Sequence, residues 1–193
     1  MQIKLRNIAK FLFYIGLIAT LGGCSTAGYM DRPGEPGNSI VYGYIDMSEA
    51  PTSLQRISMK QLQPVSDKPY FHFFVDDGMF YRPNVRKGTY KFWEFGGFST
   101  LRNADYTFTF PSQGKGAMDR QISKTGVYFA GCYKYKKVKT GFFSPGKFDM
   151  EPIGGNCELE MLARLEKWAK DPQWQQLISQ HRANKRTMAG MQQ

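Results

Sequence analysis

The sequence predicts a mainly β domain, an antiparallel β-sandwich closed by a C-terminal helical hairpin. Three observations predict it. From Ser39 onward polarity repeats with a period near two, the spacing that sends alternate side chains to one face of a strand. Groups of turn-forming residues cut this stretch into seven or eight short pieces, as in a sandwich. After Gly154-Gly155-Asn156 the period becomes helical. Aromatic residues form 15% of the chain, which strengthens the β assignment because large rings favour pleated surfaces.

The N-terminal 23 residues stand apart from this domain. Lys4, Arg6 and Lys10 make a positive start, and Phe11–Leu21 is an apolar run. A membrane-spanning helix needs about 20 such residues, so the run has signal-peptide length. Leu21-Gly22-Gly23-Cys24 resembles the lipobox of bacterial lipoproteins. That resemblance implies cleavage before Cys24, acylation of its thiol, and anchoring by two or three chains at about 0.8 kcal/mol per buried CH₂. An ordinary secretory signal and a retained anchor are the alternatives. In enterobacterial lipoproteins an Asp after the cysteine marks the inner membrane. By the same resemblance Ser25 favours the outer membrane, facing the periplasm. Residues 24–38 are rich in Pro and Gly and are expected to be a flexible linker. Extended, residues 25–38 reach roughly 40 Å.

The β domain is expected over residues 39–153. Ser39–Asp46 reads as its first strand, through Ile40, Val41, Tyr42, Tyr44 and Ile45. Leu54–Leu62 alternates, with Ile57, Met59 and Gln61 on one parity and Leu54, Arg56, Ser58 and Lys60 on the other. Tyr70–Val75 is a continuous apolar run, expected to be one strand buried on both faces. Met79–Arg82, Thr89–Phe95, Ala104–Phe110 and Val127–Lys136 follow, with a weaker strand near Lys147–Met150. The separating turns are read at Asp76-Asp77-Gly78, Arg86-Lys87-Gly88, Gly96-Gly97 and residues 111–116.

Asp77-Gly78-Met79-Phe80, followed by Val85-Arg86-Lys87-Gly88-Thr89-Tyr90-Lys91-Phe92, resembles a pattern of prealbumin-like sandwiches, as in carboxypeptidase regulatory-like and CnaB-type domains. The resemblance implies a hairpin at Asp77-Gly78, with Phe80 and Val85 in the core and Tyr90 and Phe92 on one strand face. Such domains serve as stalks, adaptors and accessory modules, mostly without catalysis.

The helices are expected over residues 154–184. Met161, Leu162, Leu165, Trp168 and Ala169 give Glu158–Lys170 an apolar stripe. Asn156 stands at the N-cap, and Glu158 and Glu160 suit the positive end of the helix dipole. Asp171-Pro172 starts a second helix with Asp as cap and Pro at the first position. Its apolar side carries Trp174, Leu177, Ile178 and His181. The tail is expected to fray, with periodicity failing from Arg182 and residues 185–193 set apart. With Cys24 acylated, Cys132 and Cys157 remain, and in an oxidising compartment the pair is expected to form a disulfide. Two buried free thiols are the alternative.

Residues that carry chemistry are sparse. His72 and His181 lack zinc-type partners, Cys132 and Cys157 are not a C-x-x-C pair, and no G-x-S-x-G elbow occurs. Asp77 and Glu94 could act as paired carboxylates, but nothing in the sequence fixes their separation. No cofactor, metal or nucleic acid is expected, and the chain is read as non-enzymatic. The formal charge of +10 includes a basic run, Lys134-Tyr135-Lys136-Lys137 and Lys139, that serves either as a surface for an anionic partner or as a charged strand edge. Arg182, Lys185 and Arg186 could extend it. The expected function is a membrane-anchored envelope lipoprotein acting as a binding or structural module for another envelope protein or a cell-wall polymer. The alternatives are a glycan- or lipid-binding module using Trp93, Phe95 and Phe98, and a hydrolase built on His72.

Overall fold

The computed structural model describes residues 36–111, 118–138 and 147–190. The expected leader, Cys24 and most of the expected linker lie outside the described residues. Two sheets and two helices form three layers. The first sheet has the order β10-β9-β1-β5-β4, from β10 (Lys147–Pro152), β9 (Val127–Val138), β1 (Ser39–Asp46), β5 (Met79–Val85) and β4 (Phe74–Asp76). The second has β3 (Tyr70–His72), β2 (Arg56–Gln63), β6 (Gly88–Ser99) and β7 (Ala104–Thr109) in that order, with β8 (Asp119–Ile122) paired to the start of β6. Helices α1 (Cys157–Trp168) and α2 (Pro172–Gly190) cover the outer face of the first sheet.

The central strand shows why the layers stack this way. β1 carries apolar residues on both parities, so both of its faces must be covered. Val41 and Ile45 enter the core between the sheets, while Ile40 and Tyr42 enter the core under the helices. The core between the sheets is mostly aromatic. Phe73 stacks on Phe92 at 5.4 Å and meets Phe80 edge-on at 5.3 Å. Phe95, Phe108, Tyr135 and Phe148 continue the contacts. Each fully buried ring contributes about 1.5–3 kcal/mol from burial alone, with roughly 0.5–1.5 kcal/mol more for a good ring pair.

The β1 direction defines two poles. The chain enters β1 at Ser39, the proximal pole, and leaves at Asp46, the distal pole. β5 runs the opposite way, pairing Ser39 with Val85 and Tyr44 with Met79. β9 runs parallel to β1, pairing Ile40 with Val127 and Asp46 with Lys134.

Several expectations hold. Asp77 and Gly78 both take positive φ, 45° and 75°, in the tight turn between β4 and β5. Phe80, Val85, Tyr90 and Phe92 are all in the sandwich core. Asp171 caps α2 by accepting bonds from the Gln173 and Trp174 amides at 3.0 and 3.2 Å. Asn156 is the N-cap residue of α1, but its side chain makes no capping bond.

Other expectations are corrected. The sandwich is mixed, because β1 and β9 are parallel. Residues 70–75 are not one doubly buried strand. β3 pairs with β2 in the second sheet and β4 pairs with β5 in the first, so the chain crosses between sheets at Phe73. Phe73 is buried there, whereas Tyr70 is 45% exposed. Gly96-Gly97 is not a turn but lies inside β6. A Cβ on Gly96 would fall 1.9 Å from the Tyr106 carbonyl oxygen, and one on Gly97 would fall 2.5 Å from that of Ser53. Strand β8 has no counterpart among the expected strands. α2 continues to Gly190 where fraying was expected.

Candidate functional site

Three connections meet at the distal pole, namely residues 47–55 between β1 and β2, the Asp77-Gly78 turn, and residues 100–103 between β6 and β7. Local bonds shape each of them. Asp46 accepts the Ser48 amide at 2.8 Å, and the Ala50 amide donates to the Met47 carbonyl at 2.9 Å. Gln55 holds the backbone of Phe98 from both sides. The Phe98 amide donates to Gln55 Oε1, and Gln55 Nε2 donates to the Phe98 carbonyl, both at 3.0 Å. The side-chain amide of Gln55 thus does the work of a strand neighbour at this rim.

Between these connections lies a groove of about 720 Å³. Its floor includes Ile45, Met47 and Leu54, and its rim carries Phe98 and Leu101. Leu101 is 94% exposed and Phe98 42% exposed. A second groove, about 640 Å³, runs along α1 and shares Tyr44 with the first. Burial, with the Asp46 and Asp77 carboxylates nearby, pushes the Tyr44 phenol above its ordinary value, so at neutral pH it remains a hydroxyl. Burial also pushes the Asp46 carboxyl up. The Ser48 hydrogen bonds and the charges of Lys134 and Lys136 outweigh this and hold Asp46 below the usual carboxylate range. The groove therefore mixes apolar side chains with hydroxyl groups, one phenol and two carboxylates, Asp46 and Asp77.

The structure scatters the site residues expected from sequence. Cys132 and Cys157 are bonded to each other, with Cα atoms 6.4 Å apart, and tie β9 to the start of α1. Tyr135 is buried in the sandwich core, stacked on Phe148. Lys134 and Lys136 both reach Glu49, at 3.2 and 2.7 Å, and Lys136 lies 3.6 Å from Glu151. Lys137 is exposed, and Lys139 lies outside the described residues. The expected extension of this run is also engaged, since Arg182 pairs with Glu166 and Lys185 with Glu158.

Of the three aromatics considered for ligand binding, Phe95 is buried in the core and Phe98 lies on the groove rim. Trp93 packs 6.1 Å from Tyr70 on the outer face of the second sheet, with Lys60 Nζ 5.5 Å from its ring. His72 is exposed on the edge strand β3, where its cross-strand neighbour is Ser58. Ser58 pairs on its other side with Glu94, and its hydroxyl is buried without a hydrogen-bond partner among the described residues. Asp77 and Glu94 lie on different sheets, and Asp77 faces Arg164.

Sequence reasoning missed the groove itself, including Gln55 and Leu101. A large apolar residue in the turn Thr100-Leu101-Arg102-Asn103 was the signal that could have found it, since such tips are normally polar.

No family model matches this chain, and no curated protein matches it. Among solved structures it is similar to the major pilin subunit of Bacillus cereus, at 14% identity and a TM-score of 0.29. The match covers 49% of this chain and 29% of the pilin. A likeness of that size carries no argument about fold or function.

Proposed function

We propose that this protein is a lipid-anchored lipoprotein of the bacterial envelope, attached through Cys24, whose β domain is a non-enzymatic binding module. Its distal groove takes a segment of another envelope protein. The observation that carries this reading is polarity: the chain enters β1 at one pole and the groove opens at the other. A tether at Ser39 leaves the groove free to meet a partner away from the anchor. The exposed Phe98 and Leu101 are suited to contacting that partner, because covering each would remove apolar surface from water. We also propose the kinship with prealbumin-like sandwiches, supported by the Asp77-Gly78 hairpin and by Phe80, Val85, Tyr90 and Phe92 in the core.

A photo-reactive residue in place of Leu101, in cells making the full chain, tests the partner reading. One discrete protein adduct is expected, absent when the same probe replaces Val65 at the proximal pole. Smeared glycan adducts at Leu101 would refute it. The anchor is tested separately, since Cys24→Ser should release the protein from membranes and remove the acyl mass.

A second reading rests on the Tyr70–Trp93 pair, which makes a partly exposed aromatic platform of the kind that stacks on sugar rings. Trp93→Ala would abolish retention on cell-wall polymer if this platform were the site.

A further inference from the structure

The two poles differ in how their charges are paired as well as in shape. Three distal connections, residues 46–55, 76–78 and 99–104, carry four carboxylates (Asp46, Glu49, Asp76 and Asp77) against one cation, Arg102, and the end of β9 at the same pole adds Lys134, Lys136 and Lys137. Neighbouring elements answer these acids, with Lys134 and Lys136 on Glu49 and Arg164 on Asp76 and Asp77. The proximal connections, residues 64–69, 86–87 and 123–126, invert the count. They carry four cations (Lys68, Arg86, Lys87 and Lys124) against one carboxylate, Asp67. All four cations are exposed, and none is ion-paired with a carboxylate among the described residues.

These cations surround the point where the N-terminal segment enters the domain. Ser39 Oγ donates to the Lys124 carbonyl and accepts from the Gly126 amide, both at 3.2 Å. Arg86 follows Val85, the strand partner of Ser39. Lys87 shares a shallow depression with Pro64, at the start of the connection that holds Lys68. The same connection exposes Val65 to 93%. A cluster of unpaired cations with an apolar tip, beside a tether, matches the surface of a bilayer that contains anionic lipid.

We infer that the proximal pole is a membrane-facing surface that binds anionic lipid headgroups through Lys68, Arg86, Lys87 and Lys124. This inference rests on the anchored reading for its biological setting. Acyl chains would fix where Cys24 sits, but 14 residues of chain between it and Ser39, which extended would reach roughly 40 Å, do not by themselves fix how the domain is oriented. Headgroup binding removes that freedom, holding the proximal pole down and pointing the groove outward. Each Lys or Arg close to an anionic surface strengthens association about fivefold, and salt weakens it over a Debye length of about 8–10 Å.

The test uses the chain from residue 24 with Cys24→Ser, so that no acyl chain contributes. It is sedimented with vesicles of phosphatidylcholine alone and of phosphatidylcholine mixed with phosphatidylglycerol. Binding is expected only to the mixed vesicles and should be lost on adding salt. The quadruple variant Lys68→Gln, Arg86→Gln, Lys87→Gln and Lys124→Gln is expected to lose at least a hundredfold in partitioning, at about fivefold per charge. A charge-matched variant (Arg102→Gln, Lys137→Gln, Lys167→Gln and Arg186→Gln) should keep most of it. Matching melting temperatures for both variants would establish that folding is not the cause. Equal binding by the two variants, or no binding by the parent, overturns the inference. Acyl mass on Cys24 of the native protein is read independently, so loss of the anchor and loss of this surface are separate outcomes.

Discussion

The first sheet has two covered faces, and they are held in different ways. The face toward the second sheet is closed by interlocking aromatic rings, with Phe73, Phe80 and Phe92 in mutual contact and Phe110 against Phe92. The face toward the helices has a smaller apolar core of Met161, Leu162, Leu165, Trp174 and Ile178, and it is stapled by the Cys132–Cys157 bond. A polar network borders that second core. The Tyr42 hydroxyl donates to Glu158 at 3.5 Å, and Lys185 lies 3.0 Å from the same carboxylate. Burial and the nearby Glu158 push the Tyr42 phenol far above its ordinary value. Sheet-on-sheet packing thus relies on shape, while helix docking adds covalent and ionic ties to a shorter contact.

The sharpest test of this contrast is Phe92→Ala. Removing a ring in contact with three others should cost about 3–5 kcal/mol and could prevent folding, as read by chemical denaturation. Next in size, replacing both Cys132 and Cys157 by Ser should cost on the order of 3 kcal/mol, from a loop of 25 residues. The contrast predicts that this loss loosens the helices first. Hydrogen exchange should then rise in α1 and α2 before β5 and β6, and uniform loss across both cores would break the comparison.

A smaller effect is expected from Glu158→Gln, and it depends on pH. Burial pushes the Glu158 carboxyl up, but the neighbouring His181 and Lys185 more than offset this and hold it below the usual carboxylate range. A depressed carboxyl stabilises the fold above the unfolded pKa, and that contribution is lost as pH falls through the folded value. Between about pH 5 and 3 the parent's melting temperature should therefore fall more steeply than the variant's. Parallel curves would remove Glu158 from helix docking. The smallest effect belongs to the outer face of the second sheet, where Arg56 meets both oxygens of Asp105 at 2.7 and 2.8 Å. Both side chains are substantially exposed, so Asp105→Ala should cost under about 1 kcal/mol in the same denaturation assay.

Legibility in the sequence follows the same division. β1 could be read because a strand covered on both faces must be apolar on both parities. The disulfide could be read because two cysteines remained once Cys24 was set aside. The crossing at Phe73 could not, since an apolar run looks the same whether it stays in one sheet or passes between two. Gly96-Gly97 misled for a related reason, because glycine marks close backbone approach as readily as a turn. The second half of α2 escaped because apolar periodicity does not report ion pairs, and Arg182 and Lys185 hold that segment through Glu166 and Glu158. The groove was least legible of all, since it is assembled from three connections far apart in the chain.

The crossing at Phe73 also protects the domain. Residues 70–76 supply the last strand at one margin of each sheet, β3 on one and β4 on the other, each only three residues long. A margin so short gives a second copy little backbone to zip onto. One brief segment thus blunts a margin of both sheets at once, leaving growth by strand addition to the opposite margins, β10 and β7.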